Sequence, residues 1–365
     1  MSPLSKRTER IDSSGIRKVF DLARSLKDPV NLSIGQPDFD VPEPVKQAGI
    51  QAIQDGYNGY TPTQGLPQLR EKIQAAIDTQ YGHEDRQVFV SSGTSGGLVL
   101  AMQTLVDPGD EVILFDPFFV MYEPLVQLVD GVPVLVDTYP EFKIDLNKVE
   151  ASITERTKLI ILNSPSNPTG YVPSREEVDA LGKLCLEKNI VLISDEIYRQ
   201  FDYDGDFCSP ADVNPKTIVI DGFSKSHAMT GWRLGMVHGP SEIISSMLKV
   251  QQYSFVCAPQ PAQWAGIEAM DADIESHVDT YRAKRDRIVD ALSGKYEIVK
   301  PGGAFYVFPK APWGTGSEFV ARAIENNLLI IPGNIFSQAD THFRLSYAAS
   351  DETIQRGIEI LLQLA

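Results

Sequence analysis

Between Asp221 and Gly235 the chain reads DGFSKSHAMTGWRLG. The residues just before it, Thr217-Ile218-Val219-Ile220, form a short apolar run with the β-branched content of a buried strand. Lys225 therefore leaves a strand end into a turn of small and hydroxyl side chains, and Arg233 follows eight residues later. A lysine so placed can form a Schiff base with an aldehyde. An arginine downstream of it can hold an anion. Together they point to a phosphorylated aldehyde cofactor.

Similar apolar runs recur on either side. Gln87–Ser91 (QVFVS) reads as a strand entering a Gly/Ser turn and then a helix to about Val106. Glu111–Phe115, Val132–Val136, Lys158–Leu162 and Ile190–Ser194 read as further strands. Ser174, with Glu177 three residues on, is a capping box that opens a helix running to about Lys188. Near-continuous Val/Ile/Leu strands separated by helices predict an α/β fold, with a mostly parallel sheet sandwiched by helices. Ligands in such folds sit beyond the carboxyl ends of the strands, where the unusual residues of this chain fall. The last hundred residues differ. A polar helix from about Ile274 towards Arg287, short strands at Ala304–Phe308 and Phe343–Tyr347, and a final helix from about Ser350 predict a smaller α+β domain over 273–365. The large domain is then 41–272, and the segment 1–40 is expected to pack against the small one.

Composition narrows the classes. With 42% hydrophobic and 22% charged residues, the 365-residue chain can bury a large core. Its 33 Lys and Arg against 49 Asp and Glu leave a net charge of −16, the wrong sign for tracking a nucleic-acid backbone. Cys185, Cys208 and Cys257 are scattered and form neither a disulfide framework nor a zinc pattern, so no metal is expected and the thiols read as reduced, as in the cytoplasm. No apolar run has the length of a membrane span, and the polar MSPLSKRTER is no secretory leader.

The search for a cofactor site then has specific targets. Gly93-Thr94-Ser95 join a strand to a helix, where backbone N–H groups and hydroxyls can bind phosphate. Arg233 adds a guanidinium suited to the same anion. Asp195 ends the IVLIS strand and can keep a pyridine nitrogen protonated, a charge-assisted hydrogen bond worth roughly 1.5–3 kcal/mol. Tyr198 and Asn167, the latter in Asn163-Ser-Pro-Ser-Asn-Pro-Thr-Gly170, can reach a ring oxygen, and Phe119 can stack on the ring. Singly, each has a plain structural reading: a buried ion pair for Arg233, a helix cap for Asp195, a turn for Asn-Pro-Thr-Gly, core for Phe119. His227 and His238 carry no role beyond filler or surface.

In order and in combination these motifs resemble the class I and II aminotransferases, the fold-type I enzymes dependent on pyridoxal 5′-phosphate (PLP). The resemblance runs from NLSIGQPDF at 31–39 through YTPTQGL at 60–66, SPSNPTG at 164–170, SDEIY at 194–198 and the lysine stretch to FRLSY at 343–347, nearly the whole chain. It leans to the branch of prokaryotic aspartate and aromatic aminotransferases. It implies Lys225 as the Schiff-base lysine, Asp195 as the pyridinium partner, Tyr198 and Asn167 at the ring oxygen, and Phe119 stacked. Gly93, Thr94, Ser95, Ser224 and Arg233 would hold phosphate. Gly35 would lie against the substrate and Arg344 would bind its α-carboxylate. The position of Tyr60 implies a homodimer, in which this side chain reaches the neighbour's phosphate. Relatives with a serine three residues before the lysine use it for phosphate; here that position is Gly222.

The expected activity is ping-pong transfer of an amino group from an L-amino acid to a 2-oxo acid such as 2-oxoglutarate. A carbon–sulfur β-lyase or an aminocyclopropane carboxylate synthase would share the same cofactor residues. A regulator's effector domain would carry a DNA-binding extension; the N-terminal residues do not read as a helix-turn-helix, and the net charge has the wrong sign for one. The preferred donor is not legible in the residues.

Overall fold

The computed structural model describes residues 3–12, 15 and 26–365. The remainder of the expected N-terminal segment 1–40 lies outside the described residues. Val30–Asn31 forms a short strand, β1. The large sheet follows, built from β2 (Gln87–Ser91), β3 (Glu111–Asp116), β4 (Val132–Asp137), β5 (Thr157–Asn163), β6 (Val191–Asp195), β7 (Ile218–Gly222) and β8 (Gly235–Gly239). Their spatial order is β2-β8-β7-β6-β5-β3-β4. Alternation along the strands feeds two cores. Val112 and Leu114 join Leu159 and Ile161 on one face, while Ile113, Ile160 and Leu162 meet the 175–188 helix on the other.

β8 alone runs against its neighbours, pairing antiparallel with both β2 and β7. Sequence reading did not single out Gly235–Gly239 as a strand, because GMVHG has two glycines and little β-branched content. The physical reason for its direction lies in the opening stretch. Residues 223–234 contain only a 3₁₀ turn at Thr230–Trp232, too little for the crossover that a parallel return needs. The DGFSKSHAMTGWRLG stretch is thus an enlarged hairpin connection. At its base Gly222 pairs with Gly235, and a Cβ on Gly222 would lie 2.9 Å from both Gly235 Cα and Leu234 O. One on Gly235 would lie 2.6 Å from the backbone carbon of Gly93. The glycine pair lets this hairpin and the Gly93 turn close on one another.

The remaining strands, β9 (Tyr306–Val307), β10 (Leu328–Leu329), β11 (Ile331–Pro332) and β12 (Phe343–Ser346), form small sheets. β1 pairs in parallel with β10, and β11-β12-β9 is antiparallel. β9 is shorter than the expected Ala304–Phe308. Helices at Glu275–Leu292 and Asp351–Leu364 complete this layer, with Tyr281, Phe305, Phe319 and Phe343 in its core. Ile197 and Tyr198 belong to that same core, so the segment after β6 docks the two layers together. Lys284 Nζ and Tyr281 Oη both donate to Asp38, at 2.6 and 2.7 Å, which ties the chain after β1 to the 275–292 helix.

Candidate active site

The carboxyl ends of β2, β3, β5, β6 and β7 open on one cavity of about 310 Å³, within the range of small-molecule sites. Gly35, Thr94, Ser95, Phe119, Asn167, Asp195, Tyr198, Ser224, Lys225, Arg233 and Arg344 all line it. Of the remaining expected residues, Gly93 stands behind the wall: a Cβ there would be 2.6 Å from an Arg233 guanidinium nitrogen. Tyr60 is not brought to the cavity of its own chain and is 87% exposed.

One end of the cavity is built for an anion. The Gly93–Leu105 helix starts there, and its N-cap Ser92 makes no side-chain capping bond, which leaves the first backbone N–H groups available. Thr94, Ser95 and Ser224 supply hydroxyls. Arg233 sits in the left-handed region, φ 56°, and its Nη1 donates to Thr230 O at 2.7 Å. Such a backbone costs about 1–3 kcal/mol and is retained where surrounding structure holds it. Among the described residues Arg233 has no carboxylate at ion-pair distance, so the ordinary buried ion pair is not what holds it.

The middle of the cavity holds opposed charges. Asp195 is buried. Tyr122 Oη donates to its Oδ2 at 2.7 Å, and Ile197 N approaches its Oδ1 at 3.4 Å. Burial pushes its carboxyl up to about 6, against the pull of those two donors. Lys225, partly buried, donates to Gly35 O at 2.6 Å. Burial lowers its amine to about 8, with the charges of Arg344 and Arg233 acting in the same direction. Asn163 fixes the next wall: its Nδ2 donates to Asp195 O at 3.0 Å and its Oδ1 accepts from Asn167 N at 2.8 Å.

Arg344 closes the other end. It is 1% exposed, and its Nη1 and Nη2 donate to Asn167 Oδ1 and Ser33 O at 2.9 and 3.0 Å. Its Nε is buried without a partner. The guanidinium lies between the rings of Tyr306 and Phe336, 4.5 and 4.7 Å from their centroids. A guanidinium this deep, with no carboxylate beside it among the described residues, is short of an anion.

Comparison with known proteins agrees with this geometry. Residues 27–361 match the family profile "Aminotransferase class I and II". A probable aspartate aminotransferase of Methanocaldococcus jannaschii is 38% identical over 99% of both chains. An aspartate/prephenate aminotransferase of Thermus thermophilus is 37% identical over 98% of both. The Thermus thermophilus aspartate aminotransferase structure with maleate superposes over both full chains with a TM-score of 0.95 at 36% identity. The chain belongs to the class I and II aminotransferases. It is a PLP-dependent, fold-type I aminotransferase, and its motif resemblance to the prokaryotic aspartate and aromatic branch is borne out.

The residues of this aminotransferase fit PLP. The cofactor needs an anion cradle, a carboxylate for its ring nitrogen and an amine for its aldehyde. The cavity offers the helix start with Arg233, the buried Asp195 and the deprotonation-prone Lys225. Sequence reading missed Tyr122, behind Asp195, and Tyr306, beside Tyr198. Both histidines left without a role are buried, not on the surface. His238 lies against an Arg86 guanidinium nitrogen at 2.7 Å, and His227 Nδ1 lies 2.8 Å from Ser226 Oγ.

Proposed function

We propose that this aminotransferase moves an amino group from an L-amino acid to a 2-oxo acid, with 2-oxoglutarate as the usual acceptor, by a ping-pong cycle. Lys225 carries the reading. It is an amine lowered to about 8 inside a cavity that faces a buried carboxylate. PLP, when bound, supplies an electron sink for charge developing at the substrate α-carbon. Lys225 Nζ would hold the cofactor's aldehyde carbon and, once released, would take the α-proton and deliver it to that same carbon; an amine lowered to about 8 is neutral in a minor fraction at neutral pH and becomes mostly neutral above pH 8. Asp195 accepts a hydrogen bond from the ring nitrogen and keeps it protonated. Tyr198 and Asn167 hold the ring oxygen, and Phe119 covers the ring face. Gly93, Thr94, Ser95, Ser224 and Arg233 hold the phosphate.

Arg344 grips the substrate α-carboxylate and Gly35 leaves room beside it, so the bond to be broken is oriented before chemistry. Gly222 contributes no hydroxyl, and the phosphate grip rests on the 93–95 turn and Arg233. A partner's Tyr60 completes it in a homodimer. In support, Tyr60 is exposed, as are the aromatic Tyr57, Tyr253 and Phe255. Phe255 also lies 3.9 Å from where a Cβ on Gly96 would be, next to Ser95. Among the described residues no helix is long and apolar enough to cross a membrane. Borohydride reduction of the PLP-loaded protein followed by peptide mass analysis should place the cofactor on Lys225; label on another lysine overturns the assignment. A panel of amino-acid donors against 2-oxoglutarate, ranked by kcat/KM, then identifies the donor. Release of pyruvate and ammonia in place of an amino-acid product would indicate a lyase.

A further inference from the structure

We propose that Tyr306 is a positioning residue: its hydroxyl donates to Tyr198, turns the Tyr198 proton toward the cofactor's ring oxygen, and links that contact to the Arg344 grip. This rests on the role of Tyr198 proposed above. The two hydroxyls are 2.9 Å apart, both side chains are buried, and either oxygen can be the donor. Each phenol has a single proton. If Tyr198 gives its proton to a ring oxygen in the cavity, it faces Tyr306 with a lone pair, and Tyr306 must donate. The surroundings favour that direction. The Arg344 guanidinium lies 4.5 Å from the centroid of the Tyr306 ring, and a nearby cation makes a phenol a stronger donor. Burial raises the Tyr306 hydroxyl, while the charge of Arg344 lowers it. Gly35 makes the arrangement possible, because a Cβ there would sit 2.8 Å from Tyr306 Oη.

Tyr306 thus touches Arg344 with its ring and Tyr198 with its hydroxyl. Asn167 already joins the two ends of the site directly, through its bond from Arg344. Tyr306 is a second route with a different content. A substrate carboxylate that neutralises Arg344 weakens the field on Tyr306. Its donation falls, and the hold of Tyr198 on the ring oxygen loosens when substrate arrives.

The test uses PLP-loaded parent, Tyr306→Phe, Tyr198→Phe and the double variant. The readout is the pH midpoint of the visible absorbance change of bound PLP, with and without an unreactive carboxylate (maleate and 3-phenylpropionate in separate runs). A donor on the ring oxygen stabilises the deprotonated chromophore, so a weakened donor raises the midpoint. Tyr306→Phe is expected to raise it by about half to one pH unit, the loss of one ordinary net hydrogen bond. Tyr198→Phe should raise it further, the double variant should match Tyr198→Phe, and the carboxylate-induced displacement should shrink in Tyr306→Phe. Tyr306→Leu, which also removes the ring over Arg344, should bind the carboxylate several-fold more weakly, whereas Tyr306→Phe should not. An unmoved or lowered midpoint in Tyr306→Phe means that Tyr198 donates to Tyr306, and overturns the proposal. If Tyr198→Phe also leaves the midpoint in place, the role of Tyr198 has failed and the proposal fails with it.

Discussion

Tyr122 Oη donates to Asp195 Oδ2 at 2.7 Å, so the carboxylate that faces the cavity is held from behind by a buried phenol. That bond pulls the Asp195 carboxyl down while burial pushes it up, with a balance at about 6. In the role proposed for it, Asp195 must be ionised to accept from a protonated ring nitrogen. The affinity of the PLP-free protein for PLP should therefore fall as pH drops through 6. In Tyr122→Phe the opposing pull is gone, and the fall should begin at higher pH. Absorbance titration with PLP from pH 5 to 8 measures both curves. Loss of a hydrogen bond to a charged group, roughly 1.5–3 kcal/mol, also predicts kcat down by about tenfold or more with KM little changed. A pH curve that coincides with that of the parent would show that Tyr122 only fills space.

Arg344→Lys should cost far more than the loss of a conservative contact. An ammonium cannot reach Asn167 Oδ1 and Ser33 O while offering a planar fork to a carboxylate, and it would not fill the slot between Tyr306 and Phe336. Removing one partner of a buried charged pair costs about 2–5 kcal/mol, so kcat/KM should fall about thirtyfold or more for both amino and oxo substrates. The Lys225–PLP absorbance spectrum should survive, since Arg344 lies at the opposite end from the phosphate cradle. Steady-state kinetics and spectra of the purified variant check both halves.

The sheet was legible because its strands are near-continuous Val/Ile/Leu runs, a pattern that burial on both faces imposes. The cavity was legible because most of its polar residues follow directly on those runs. β8 was not, since its pairing is dictated by the absence of a crossover helix, a feature of the loop and not of GMVHG itself. Tyr306 escaped for another reason. It sits on the two-residue strand β9 in the small layer and enters the site only through tertiary docking against Tyr198. Tyr122 left a fainter trace: it follows Phe119 by three residues, and the two rings meet edge to face at 5.6 Å.

Gly222→Ser would restore the hydroxyl that the resemblance assigns to phosphate binding, yet it is expected to weaken the protein. The new Cβ would meet Gly235 Cα and Leu234 O at 2.9 Å and Thr94 Cγ2 at 3.5 Å. Two of these are backbone atoms at the start of the paired strand and just before it, which cannot move aside as a side-chain tip can. Overpacking of this kind costs about 1–3 kcal/mol, and it presses on Thr94 in the phosphate cradle. A lower Tm and weaker PLP affinity are expected together. Tighter PLP binding with unchanged Tm would show that the hairpin base can widen.

Glu196 offers a pH test of the fold beneath the site. It is fully buried. Ser194 and Ser209 hydroxyls donate to its Oε1 at 2.9 and 2.5 Å, and its Oε2 has no partner. Burial raises its carboxyl to about 7, outweighing the charge of Arg199 and those hydroxyls. A folded-state value above the unfolded one means that the folded protein keeps the proton longer. Stability from this group is therefore complete below about 4.5 and is lost as pH rises through 7. Glu196→Gln cannot ionise and loses nothing over that range. Denaturant titrations should show the variant gaining on the parent by on the order of 3 kcal/mol between pH 4.5 and pH 8, whatever the offset at acid pH. Parallel stability curves across that range would mean that Glu196 ionises freely in the fold, with Arg199 compensating its charge.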